Sequence, residues 1–248
     1  MHCALFGKLP AKRDFIAVNM PRELLRFWEI WLQGGMAASI QALGPGWKEV
    51  YLSAPIWRFW LGSSHLGCEV LGAFMPSLDG VGRYFPLAVL AMAPEGQAFA
   101  APTENAQASW FESAEAFLLD TLEPDAVYEA TLAALESLPL PESVARDTQP
   151  AVVASNRGLL GVSDDATTEI PALLARLERS DKAARQAAGS WWWSIGGDSF
   201  PALALRAERL PEAQHFTLLL TGPTAGPESG GADKSGESAQ PARIGVEP

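Results

Sequence analysis

The sequence predicts an α/β protein, a sheet with helices packed against it. Three observations carry this. Short apolar and aromatic runs recur at 3–7, 56–61, 68–75, 84–92, 190–195 and 202–207, each bounded by Gly, Pro or polar turn formers. Between and after them, apolar residues recur at three- and four-residue steps. The chain has 248 residues, 48% hydrophobic and 19% charged, which is enough to bury a core as one large domain or two small ones and excludes disorder throughout.

Taken in order, 3–7 is a short strand that empties into a polar loop, Lys8 to Asp14, held by Gly7 and Pro10. A helix follows. Pro21 suits its first turn and Glu23 complements the dipole there, while Leu24, Trp28, Trp31, Leu32, Met36 and Ile40 make one apolar face; Gly44-Pro45-Gly46 ends it. The strands at 56–61, 68–75 and 84–92 come next, the last two joined by a polar, glycine-bearing loop from Pro76 to Arg83; the run at 84–92 is too unbroken for a half-exposed strand. From Thr103 a helix places Trp110, Ala114, Phe117, Leu118 and Thr121 on one face, and a second runs from Asp125 to about Leu138. Residues 139–168 have turn formers, a short strand at 151–154 and no clear periodicity, and read as a variable excursion. A helix spans 169–188, Pro171 being tolerable in its first turn. The strands at 190–195 and 202–207 flank Gly196-Gly197-Asp198-Ser199, and consecutive Trp191, Trp192 and Trp193 must divide between the two faces of the sheet. The spacing over 212–220 favours a last helix. The final 27 residues, 222–248, hold 6 Gly, 4 Pro and 3 Ser with few apolar groups, so a flexible C-terminal tail is expected. No internal repeat of fixed period is visible.

Eighteen Lys plus Arg against 29 Asp plus Glu give a net charge of -11, which disfavours a phosphate backbone or an anionic lipid surface as partner. The charge is uneven: residues 1–93 carry 8 basic and 6 acidic groups, net +2, and 94–248 carry 10 and 23, net -13. Two cysteines 65 positions apart suggest neither a zinc site nor a disulfide framework. There is no signal-like start and no apolar run near the ~20 residues a bilayer needs, so a cytoplasmic protein without membrane insertion is expected.

Catalytic motifs are scarce. A phosphate loop ending at Gly7-Lys8 would need Gly at position 2 and Ser or Thr at position 9, where His2 and Leu9 stand. Gly197-Asp198-Ser199 suggests a serine hydrolase with His215 nearby, but no Asp-x-x-His follows and a turn between strands explains the string. Only three isolated histidines exist, so no catalytic residue, metal or cofactor is assigned. What stands out is two polar loops: Lys8, Lys12, Arg13 and Asp14 in one, Ser77, Asp79 and Arg83 in the other. Adjacent strands would bring them together, beside Trp57, Arg58 and Trp60, to form a recognition surface rich in Arg and aromatics. The competing reading is that Asp14, Arg58, Asp79 and Arg83 pair with one another and only lock loop geometry.

The strings FGKLPAKRDFI (6–16), FWEIWLQGGMAAS (27–39), YLSAPIWRFWL (51–61) and MPSLDGVGRYFPLAV (75–89), in that order and spacing, resemble the TagF family, also called ImpM, of type VI secretion systems. SWWWSIGG (190–197) and PALALRAERLP (201–211) fit its weaker C-terminal part. The resemblance implies one TagF-like domain over 1–221, best matched over 1–93, folded as a three-layer α-β-α sandwich with a mixed, largely antiparallel sheet. It also implies a non-enzymatic, cytoplasmic accessory protein that represses type VI secretion post-translationally by binding a forkhead-associated scaffold protein. The partner-binding or loop-ordering candidates are Lys8, Asp14, Trp57, Arg58, Ser77, Asp79 and Arg83. Arg13 stands where the family has Gly; a positive φ required there would strain the loop. Alternatives are the hydrolase using Ser199, a structural subunit needed for secretion, and docking through acidic helix residues such as Glu112 and Glu115 in place of the loops.

Overall fold

A computed structural model describes residues 2–146, 152–156, 159–162, 170–197 and 200–223. Seven strands form the main sheet: β1 (Ala4–Gly7), β2 (Ile16–Val18), β3 (Trp57–Leu61), β4 (Val70–Met75), β5 (Leu87–Met92), β10 (Ser190–Ser194) and β11 (Leu203–Ala207). Their order is β11-β10-β3-β4-β5-β1-β2, and all six ladders are antiparallel. Two short antiparallel pairs lie outside it, β6 (Gln97–Ala98) with β7 (Val144–Ala145) and β8 (Val152–Asn156) with β9 (Leu159–Val162). The strand expected at 151–154 corresponds to β8, which pairs with β9; residues 147–151, 157–158 and 163–168 of the excursion, Ser199 and residues 224–248 lie outside the described residues.

Alternation along the strands sorts the core into two bodies. Trp57, Phe59, Leu61, Phe74, Leu90 and Trp192 pack with α1 (Arg22–Leu43), α2 (Trp47–Ser53) and α6 (Phe216–Thr221). Trp60, Leu71, Ala73, Val89 and Trp193, on the opposite face, pack with α3 (Ala108–Asp120) and α4 (Tyr128–Ser137). The last long helix is α5 (Ile170–Ala188). Helix α1 buries Leu24, Trp28, Trp31, Leu32, Gly35, Met36 and Ser39. Ile40, expected on that face, is about half exposed. Ser39 takes the position, because its hydroxyl accepts the Trp47 indole N–H at 2.9 Å and donates to the Met36 carbonyl at 2.9 Å. The tryptophan run divides as the pleat demands. Trp192 stacks on Trp31 at 4.7 Å between ring centres, and Trp193 meets Phe111 of α3 edge-on at 4.9 Å.

Strands β1 and β5 are neighbours with Gly7 opposite Leu87, so the loop leaving β1 and the loop entering β5 emerge at the same end of the sheet. The strand expected from Tyr84 begins only at Leu87, after Pro86, which has no N–H for a ladder. Gly7 has φ +135°, and a Cβ there would sit 2.0 Å from the Pro86 carbonyl oxygen, so only glycine allows the two backbones to approach this closely.

Candidate functional site

Where the 8–15 and 76–86 loops meet, Asp79 is fully buried. Its Oδ2 takes the Lys8 ammonium at 2.9 Å and the Arg83 Nε at 2.7 Å. Its Oδ1 accepts the backbone amides of Arg83 at 2.9 Å and Val81 at 3.1 Å. One carboxylate therefore ties the turn of its own loop to the first residue after β1. Burial pushes the Asp79 carboxyl up, but the Arg83 amide, the Lys8 and Arg83 side chains and the Val81 amide push it down further, and the net position is well below the usual carboxylate range.

Other bonds close the junction. The Gly80 amide donates to the Lys12 carbonyl at 2.7 Å, and the Arg83 guanidinium reaches the Arg13 carbonyl. The buried Ser77 hydroxyl donates to the Lys8 carbonyl at 2.8 Å. The Tyr51 hydroxyl donates to the Ser77 carbonyl and accepts the Ser77 amide, both at 3.0 Å; burial pushes that phenol well above its ordinary range. A Cβ on Gly80 would lie 2.9 Å from the Pro10 carbonyl oxygen, so the loop backbones touch directly. Ser77→Ala, which leaves the Lys8 carbonyl without its donor, is expected to cost about 1–2 kcal/mol in urea unfolding without changing the spectrum of the folded protein.

The junction is not a buried lock alone. Arg13 and Asp14 are exposed, Phe15 is 50% and Val81 56% exposed, and the Arg83 side chain is 58% exposed. Phe15 is nonetheless fixed, edge-on to Phe85 at 4.8 Å, with the Lys8 ammonium 5.0 Å from its ring centre. Arg13 lies outside the positive-φ residues, which apart from glycine are Asn19 and Gln107 among the described residues, so it does not strain the loop.

The predicted residues separate into three groups. Lys8, Ser77, Asp79 and Arg83 come together as one network. Asp14 is exposed and follows Arg13, whose carbonyl Arg83 reaches; of the pairings in the competing reading, Asp79 with Arg83 is present, and none involves the Asp14 carboxylate among the described residues. Trp57 and Arg58 belong elsewhere, on opposite faces of β3. Trp57 is in the α1–α6 core, donating to the Leu219 carbonyl at 2.7 Å. Arg58, 8% exposed, forms a fork with Glu115 of α3 at 2.6 and 2.8 Å and lies 5.3 Å from the Phe111 ring centre. Glu115 is thereby removed from the exposed acidic face expected of α3, whereas Glu112 remains on it. Sequence reasoning weighted charge and so passed over Phe15 and Val81; the available signal was a large apolar residue inside each polar loop.

The family model described as the TagF N-terminal domain, type VI secretion system-associated, matches residues 4–138, more than half of the chain. The chain belongs to the TagF family. A crystal structure of PA0076 from Pseudomonas aeruginosa PAO1 is similar over 99% of this chain and 100% of that one, at 31% identity and a TM-score of 0.69. No curated protein matches. In this TagF chain the strings that carry the resemblance do two jobs. Lys8, Pro10, Ser77, Asp79, Gly82, Arg83, Phe85 and Pro86 build the loop junction, where Gly82 has φ +84°. Trp31, Trp57 and Arg58 hold helices to the sheet: Trp31 of α1 stacks on Trp192 of β10, Trp57 donates to the Leu219 carbonyl of α6 and Arg58 forks with Glu115 of α3. Among the described residues no helix is long and apolar enough to cross a membrane, and no group of three or more His, Cys, Asp or Glu could hold a metal ion.

Proposed function

We propose that this chain is a cytoplasmic, non-enzymatic regulator of type VI secretion, a post-translational repressor that docks through the loop junction on a forkhead-associated scaffold protein. The reading extends the family's association with type VI secretion, and one observation carries it. The buried Asp79 network fixes two loops whose outward side chains, Arg13, Asp14, Phe15, Val81 and Arg83, combine aromatic, aliphatic and charged groups on a rigid base. Such a surface has little ordering entropy to lose on association, and Arg with aromatic residues supplies much interface energy. Repression then works by occupancy: the repressor shifts assembly only as far as it prefers the unassembled scaffold.

Val81→Glu and Phe15→Glu are the test. Each is expected to weaken capture of the forkhead-associated scaffold at least tenfold and to raise secretion, and Val81→Glu does so with unchanged circular dichroism because its side chain lies at an exposed loop tip. Full capture by the folded Val81→Glu and Phe15→Glu proteins would remove this surface from consideration. A deletion that silences secretion would replace the repressor with a required subunit, and substrate turnover by the purified protein would end the non-enzymatic reading.

A further inference from the structure

The far end of the sheet carries a second set of unused groups. Strand β11 is the last in the order, and among the described residues no strand pairs with its outer side. It is a five-residue edge, against three residues for β2 at the other end. Free N–H and C=O groups along such an edge are a template for another strand.

On the α3 side of this edge lies a groove of about 480 Å³ lined by Pro102, Ala106, Trp191, Trp193, Ile195 and Ala204. Ile195 is 66% exposed at its rim. The groove adjoins a cleft of about 290 Å³ that shares Thr103 and Trp191 with it and is lined by Lys182, Arg185 and Arg206. Lys182 and Arg185 come from α5. Arg206, on β11, places its guanidinium 5.4 Å from the Trp191 ring centre. Arg185 is met at 2.5 Å by Asp181, while no carboxylate pairs with Lys182 or Arg206 among the described residues. Three cations thus gather at one cleft in a part of the chain, 94–248, whose net charge is -13.

Trp191, Trp193, Ala204 and Arg206 share one face of the β10–β11 ladder, Trp191 opposite Arg206 and Trp193 opposite Ala204. A strand added outside β11 would project every second side chain onto that same face. We propose that the β10–β11 end of the sheet takes an extended acidic segment of a partner protein, which pairs with the outer side of β11, sets apolar side chains against the tryptophan groove and directs carboxylates to Lys182, Arg185 and Arg206. The backbone edge supplies the pairing, the groove the apolar contact and the cations the choice of an acidic sequence. This surface lies at the opposite end of the sheet order from β1 and does not depend on the loop junction.

The test uses the full chain and a fluorescein-labelled nonapeptide alternating Glu with Leu and Phe, followed by anisotropy. The acidic peptide is expected to bind at least tenfold more tightly than the same peptide with Lys for Glu, and at least tenfold more tightly than nine consecutive glutamates. Lys182→Glu with Arg206→Glu is expected to lower affinity at least tenfold, and Ala204→Glu to do the same by filling the groove; these side chains are exposed, and unchanged circular dichroism checks that the variants remain folded. Val81→Glu, at the loop junction, leaves peptide binding unchanged. Equal affinity for all three peptides, or full affinity in the edge variants, overturns the proposal. So does displacement of the peptide by a single-stranded oligonucleotide at equal affinity, which would mark a general polyanion site. A dimer in sedimentation that Ala204→Glu dissociates would assign the edge to a second copy instead.

Discussion

Asp79→Ala lowers Tm by roughly 10 °C and opens the 8–15 loop to trypsin at Lys12 and Arg13. The reason is the position of Lys8. The Lys8 side chain is 7% exposed and its ammonium has Asp79 as its anion, so removing the carboxylate leaves a buried charge without a counterion and two backbone amides without an acceptor. The effect depends on pH with a definite sign. The Asp79 carboxyl titrates lower in the folded protein than in the unfolded chain, so the unfolded state binds its proton first as acid is added. Its contribution is complete above the ordinary carboxylate range near pH ~4 and is lost as pH falls through the lower, folded value. Asp79→Asn should therefore show a flatter decline of stability below pH ~4 than the parent protein in urea titrations. A Tm within 2 °C of the parent, together with an unchanged tryptic pattern, would mean that the network does not hold the loops.

Arg58→Met is expected to destabilise the protein by about 3–5 kcal/mol, and Glu115→Leu by a similar amount, because each leaves its partner nearly buried and unpaired. Their side chains are 10% and 13% exposed. The double variant, which places two apolar groups where the fork lay between β3 and α3, should recover to within about 1 kcal/mol of the parent. A double-mutant cycle in urea at neutral pH gives the coupling directly. If Arg58→Met proves neutral and the coupling vanishes, the fork is not structural. Scaffold capture by that variant would then decide whether Arg58 contacts a partner after all.

Legibility followed the range of the interaction. Helix α1 could be read because Leu24, Trp28, Trp31, Leu32 and Met36 follow one stripe whatever they pack against. Its last turn could not, since Ser39 is buried only because Trp47 brings it a donor from the next helix. Helix α2 passed unread, although Trp47 and Tyr51, four apart, are both buried. Strand β2 has three residues of which only Ile16 is buried, too short for any period to register. The sheet being antiparallel throughout was likewise not written in any one strand.

The candidate site divides in the same way. The two loops and their charged residues are visible in the linear chain, because each follows or precedes an apolar run and contains Gly, Pro and ionisable groups. Which charges meet is not visible. Arg58 lies 57 positions from Glu115, and Lys8 71 positions from Asp79; only the packing of α3 on β3 and the pairing of β1 with β5 brings each pair within 3 Å. Hydrophobic period and turn chemistry act between near neighbours, so the sequence alone determined the longer helices and the apolar strands, the two loops and the family resemblance. Ion pairing and burial act through space, so only the tertiary structure decided that Asp79 is a hidden organiser, that Arg58 and Trp57 are core residues, and that Phe15 and Val81 face outward.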